Sequence, residues 1–403
     1  MPKHPVSSIE QRFCRLASLL AEWQSLWRPA PFMYRRPPWQ KACPELVDVL
    51  LGLDDLQLER LQANPWQNSP LQAWLPVAEL AELVRLAPLA DKAVLLSQAW
   101  GQHVGGRKWQ QIEAFARHLH VAPQDVLLDW CAGKGHLARA LSHYHAAEVI
   151  ALEWQASLCE EGQRLAAAQL ASVRMHQQDV MAMEAGRFLT SQTHVVALHA
   201  CGDLHLRLLD VTAASGSAIT LAPCCYHRIQ ETDYRPVSRR GRELCGRYSL
   251  SLERNDLALA VQETVTAPRG VRRRREQANA WRLGFDELQR ELRGEDVYLP
   301  VPSLAYGRMP ERFEAFCRWA AHLKGLDVPD TLDLTSYERA GWQRQAEVKR
   351  LELVRHLFRR PLETWLVMDR FFLLEEAGYS VEMGTFCASG LTPRNLLIRA
   401  RKA

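Results

Sequence analysis

Between residues 126 and 227 the chain repeats one rhythm, and that rhythm restricts the fold more than any other feature. Five short apolar runs, 126-VLLDW-130, 148-EVIALEW-154, 172-SVRMHQQDV-180, 194-HVVALHACG-202 and 217-SAITLAPCCYH-227, are separated by helical stretches at 135–145, 155–171 and 203–214. Strands alternating with helices at this spacing join through right-handed crossovers, so they lie parallel with helices on both faces. The expected fold is α/β, with a doubly wound, Rossmann-like sheet.

The rest of the 403 residues divides around this core. Residues 1–95 read as a helical N-terminal region with Pro-rich joints, containing blocks such as 45-ELVDVLLGLDDLQLERLQA-63 and 78-AELAELVRLA-87. Tryptophans in such blocks are more often core than a surface for bases. Residues 96–227 hold the first part of the sheet. Residues 228–356 read as a basic insertion of loops and helices after the fifth strand. Residues 357–403 restore the pattern, with a helix over 362–378, a strand over 379–388, a turn, and a last strand over 394–401.

No run of eighteen apolar residues occurs, and the N-terminus lacks the apolar block of a secretory signal, so a soluble, cytoplasmic protein without membrane association is expected. The 10 cysteines, which include the neighbours Cys224 and Cys225, fit thiols in a reducing compartment. A net charge of +4 is too small at this length to identify a nucleic-acid binder.

The stretch 127-LLDWCAGKGHLARAL-141 places two glycines in a turn between strand and helix, where a ligand can approach the backbone at the positive end of a helix. Ala138 stands where a dinucleotide fingerprint has its third glycine, which weakens a nicotinamide reading. Acids end three successive strands. Glu153 is placed to accept both ribose hydroxyls, Trp154 to stack on an adenine, and Asp179 to accept from its exocyclic amine. Each acid alone is explained equally well as a helix cap. Asp129, Gly133, Gly135, Glu153 and Asp179 in this order point to S-adenosylmethionine (SAM), with Asp129 as countercharge to the sulfonium. Cys131 in the same turn is counted with the cofactor residues, although a small packed side chain explains it too.

In a doubly wound sheet the chemistry collects where strand order reverses, outside the carboxyl ends of the strands. Strands four and five end there in His199, Cys201 and Asp203, and in Cys224, Cys225, Tyr226 and His227. These seven are the candidate catalytic residues.

The segments ALHACGDL and APCCYH resemble the paired motifs of a methyltransferase family that includes the ribosomal RNA adenine dimethylase domain-containing proteins. They are also similar to motifs of tRNA 2′-O-methyltransferases with a Cys-Cys-His-His signature, from which Tyr226 departs. The stretch 390-GLTPRNLLI-398 resembles a Ser-Pro-Arg-Asn segment near that family's end, and a helix with a closing hairpin is how the sheet of class I SAM methyltransferases ends. The resemblance covers about 96–227 and 357–403. It implies a seven-stranded methyltransferase sheet, SAM as cofactor and methyl transfer as activity.

The acceptor remains open among several chemistries. An Asn-Pro-Pro-Tyr type motif for an exocyclic amine is missing at strand four. A pyrimidine carbon would need Cys201 or Cys224 as nucleophile, and a hydroxyl would need His199, Asp203 or His227 as base. An O or N atom of RNA, tRNA or rRNA, is the expected acceptor. No metal is expected, since C-x-x-C spacing is absent; a zinc or iron–sulfur site built from separate strands is the competing reading.

Charge supports an RNA partner. Residues 228–275 carry twelve arginines against six acids, although a solvated basic helix face would read the same way. Lys108, just before the first strand, stands where related enzymes often hold a lysine near the cofactor or substrate. Protein methylation and a noncatalytic, SAM-retaining module are the alternatives.

Overall fold

A computed structural model describes residues 8–92, 98–102, 104–262, 269–304 and 308–403. Its central sheet has seven strands in the order β3 (Val173–Gln177), β2 (Val149–Glu153), β1 (Val126–Trp130), β4 (Thr193–Cys201), β5 (Ala218–Cys224), β9 (Leu396–Lys402) and β8 (Tyr379–Thr385). Five are parallel: β1, β2, β3, β4 and β5. The antiparallel hairpin of β8 and β9 closes the sheet against β5. All seven residues of β5 are buried, as a strand covered on both faces requires. Strand order reverses at β1, which lies between β2 and β4 and so opens a crevice at its carboxyl end. The doubly wound, seven-stranded expectation holds.

The described chain forms two compact units, which differ from the divisions read in the sequence. One comprises the described residues within 1–21, 82–263 and 359–403; the other comprises those within 22–81 and 264–358. The helix Ile9–Glu22 brings Phe13 against Trp365 and Phe372, with ring centroids 5.3 and 4.9 Å apart, so the start of the chain belongs with the sheet. The segment 228–263 belongs there as well, because Asp369 binds it: its carboxylate accepts hydrogen bonds from the Tyr234 hydroxyl, the Val237 and Ser238 amides and the Ser238 hydroxyl. That segment also carries a small hairpin, β6 (Asp233–Tyr234) with β7 (Leu252–Glu253), in a region expected to lack strands. The expected boundary between residues 95 and 96 lies outside the described residues.

The second unit is helical. The block expected over 45–63 is two helices, Pro44–Leu51 and Asp55–Ala63, because Asp54 and Gln57 form a capping box that restarts the chain. Trp281, Phe285, Phe313, Phe316 and Cys317 fill its core, and Trp27 and Trp39 are buried too. The helix expected over 362–378 is instead Thr335–Glu376, with Pro361 inside it. Among the described residues no helix is long and apolar enough to cross a membrane.

Candidate active site

The turn after β1 is built for backbone exposure. Gly133 and Gly135 have φ of 58° and 64°, the left-handed region that glycine enters without cost. A Cβ on Gly133 would meet nothing within 4 Å, so the turn has open space over it; one on Gly135 would lie 3.1 Å from the Met175 sulfur. Asp129 is buried and its Oδ2 accepts the Ala138 amide at 3.1 Å, which ties β1 to the first turn of the helix His136–His145. Burial pushes its carboxyl up to about 7, against the opposing pull of that amide and of Lys108. Its position is thus inside the turn, not open on the crevice as a countercharge.

Glu153 joins the same turn. One carboxylate oxygen accepts the Gly133 amide and the other the Gln155 amide, each at 3.0 Å. Trp154 beside it is 66% exposed and free to stack. Asp179 is exposed, with Oδ1 accepting the Met181 amide at 2.9 Å. Cys131 is half-buried with φ of 63°, and burial raises its thiol to about 12, which keeps it protonated. The structure therefore gathers Asp129, Cys131, Gly133, Gly135 and Glu153 around one turn. The open cradle, the paired lone pairs of Glu153 and the exposed indole suit a ribose and a base.

The ends of β4 and β5 face the same crevice, with a different construction. Their register breaks between Leu198 and Cys201, a bulge centred on His199, whose φ is 67°. His199 Nε2 lies 2.8 Å from Gln111 Oε1, and Gln111 Nε2 donates to the Leu391 carbonyl. The amide is thereby oriented to accept, so Nε2 carries the proton and Nδ1 is left as a base. Burial lowers the His199 pKa and keeps the ring neutral. Lys108 is exposed on the helix Gly106–Ala116, and its charge bears on both Asp129 and His199.

Beyond the bulge Cys201 faces Cys224 with sulfurs 3.5 Å apart, and Cys225 completes a group whose sulfurs all lie within 4.8 Å of one another. Contacts from its two neighbours hold the Cys225 thiol well below the usual range, while Cys224 is pushed up. Gly202 is required beside them, since a Cβ there would sit 1.9 Å from the Arg228 carbonyl oxygen. Asp203 clasps the same loop: its amide donates to the Arg228 carbonyl at 3.0 Å and its Oδ2 accepts the Gln230 amide at 2.8 Å. It is a loop anchor more than a free base. His227 is half-buried, and its Nδ1 has no hydrogen-bond partner among the described residues.

Tyr226 does not face the crevice. It is fully buried, with Arg370 over its ring at 5.2 Å and His205 edge-on at 5.9 Å. The left-handed turn at Cys225 sends the next side chain into the core, which corrects its assignment as a catalytic residue.

Three residues escaped the sequence reading. Gln111 sets the His199 tautomer. Arg370 donates to His205 Nε2 at 3.2 Å, and the opposite ring nitrogen of His205 contacts the Ala200 carbonyl at 3.2 Å, inside the bulge. The charged pair Asp369-Arg370 within the apolar 365-WLVMDRFFLL-374 was the available signal. Gln111 had none.

Residues 107–232 match a family described as "Methyltransferase domain". A glutathione S-transferase C-terminal domain-containing protein of Xenopus laevis is 32% identical over 112 residues, which is 27% of this chain and 18% of that protein. The match thus spans less than a fifth of the relative's length. A solved structure described as geranyl diphosphate methyltransferase in complex with GPP and sinefungin is 20% identical and covers 40% of this chain and 65% of its own, at a TM-score of 0.25, too low to bear on the fold. The methyltransferase match falls on the strand-end residues described above. Over these residues the chain is similar to a methyltransferase domain.

Proposed function

We propose that this chain is a SAM-dependent methyltransferase that acts in the cytoplasm on an O or N atom of RNA, tRNA or rRNA. The observation that carries the acceptor class is the start of the helix Arg269–Arg293. Arg272, Arg273, Arg274 and Arg275 are all exposed, and none pairs with an acid among the described residues. At about 100° per residue four consecutive side chains surround the axis, so this is not the solvated face of an amphipathic helix. Arg272, in the first turn, also opposes the helix dipole, by roughly 0.3–1 kcal/mol. Local stability does not account for them; phosphate contacts do. The paired segments around Cys201 and Cys224, similar to those of RNA-modifying enzymes, support the same acceptor.

SAM supplies the methyl group on a sulfonium. Glu153 retains a free lone pair on each oxygen for a ribose hydroxyl, and Trp154 offers a stacking face. His199 Nδ1, neutral and oriented by Gln111, takes the proton that the acceptor atom loses as the methyl arrives. Purified protein incubated with radiolabelled SAM, total RNA from a strain lacking it and a parallel protein extract tests this. Label is expected in RNA and should fall at least tenfold when Arg272–Arg275 become glutamines. Label confined to protein would overturn the acceptor class.

A further inference from the structure

The geometry points to a binding site for a thiophilic divalent cation, with zinc as the fitting ion, formed by Cys201, Cys224 and Cys225. It goes beyond the methyl-transfer reading and does not depend on the acceptor being RNA. The three sulfurs lie within 4.8 Å of one another, with Cys201 and Cys224 at 3.5 Å. Tetrahedral zinc at 2.3 Å from each sulfur needs S···S edges of about 3.8 Å, which these separations bracket.

The backbone shows what assembles them. Neighbours in an extended strand point to opposite faces, so Cys224 and Cys225 should present their thiols on opposite sides. Cys225 instead has φ of 48°, which folds its side chain back beside Cys224. The bulge in β4, with His199 at φ of 67°, sets Cys201 opposite Cys224 on the adjacent strand. Each left-handed non-glycine residue costs about 1–2 kcal/mol. Thiols that merely fill space need neither distortion, yet both converge on this cluster. The contacts the thiols make are weak, 3.4 Å from Cys201 to the His199 carbonyl and 3.6 Å from Cys224 to the Ala200 carbonyl.

With all three sulfurs as thiolates, one divalent ion leaves the cluster a net charge of −1, which the neighbouring Arg228 complements. No fourth His, Cys, Asp or Glu joins the group among the described residues, so the fourth coordination position is open to water or an acceptor atom.

The full chain, reduced and stripped with a chelator, is titrated with cobalt(II) and then zinc. The expected result is one equivalent of cobalt with a thiolate-to-cobalt charge-transfer band, bleached by zinc, and a zinc-dependent rise in Tm. Cys225→Gly should lose both responses while its metal-free Tm equals or exceeds that of the parent, since glycine suits the left-handed backbone. Absence of the band in the parent chain, or its persistence in Cys225→Gly, would overturn the assignment. Uptake is read without methyl transfer, so it fails or stands separately from the enzyme reading.

Discussion

The two rims of the crevice reach the same backbone conformation by opposite means. After β1, Gly133 and Gly135 enter the left-handed region as residues that lose nothing there. At the ends of β4 and β5, His199 and Cys225 enter it with side chains attached, against a steric cost. On the rim where we propose the cofactor, the cofactor side, the backbone is the exposed surface and the two glycines carry no side chain over it. On the rim where we propose the acceptor, the acceptor side, the side chains are kept and the backbone is bent to aim them. Cys131, at φ of 63° within the glycine turn, is the exception on the first rim.

Gly202 tests that contrast most severely, because it is a glycine on the acceptor side. Its Cβ would strike backbone of Arg228 at 1.9 and 2.4 Å, so Gly202→Ala should lose more than about 4 kcal/mol in urea unfolding. A milder loss would mean that the clasp between Asp203 and residues 228–230 is not rigid.

Asp129→Asn probes the cofactor side next. The folded carboxyl, raised to about 7 by burial, holds a proton that the unfolded chain releases near pH 4. Its contribution is therefore complete below about pH 4 and is lost as pH rises through about 7. Without SAM, the asparagine variant should lack this dependence and be more stable near pH 8, by at most about 4 kcal/mol. Parallel melting curves for the two proteins across pH would show the residue to be solvated instead.

Glu153→Ala should weaken SAM binding by about tenfold or more in calorimetry, since it removes charged acceptors from the ribose position. Unchanged affinity would move the ribose elsewhere. The smallest effect is a control: Leu170, 94% exposed with φ of 53°, serves no site, so Leu170→Gly should stabilise by about 0.5–1 kcal/mol. If it does not, strain at His199 and Cys225 is also cheaper than argued.

The same contrast explains what was legible in the sequence. Five strands, their helices and the closing hairpin follow from apolar periodicity, and the glycine turn announces itself by composition. Nothing in His199 or Cys225 reports that either is left-handed, because their identity is set by side-chain chemistry. The inward turn of Tyr226 follows from that hidden conformation and was illegible for the same reason. Gln111 matters only through a contact with a residue 88 positions away. The allotment of 228–263 to the sheet unit depends on Asp369, again a partner remote in sequence.

The antiparallel pairing of β5 with β9 has a kinetic side. Ile219 lies opposite Ala400, so the strand that carries Cys224 waits for a neighbour about 180 residues later in synthesis. Until then one flank of β5 is an open edge of a strand destined for full burial and apolar except for Thr220, available to any other chain. Closing a loop of that length raises the contact order and slows folding. The nascent protein is therefore most prone to aggregation after its cofactor turn has formed and before its last strand has left the ribosome.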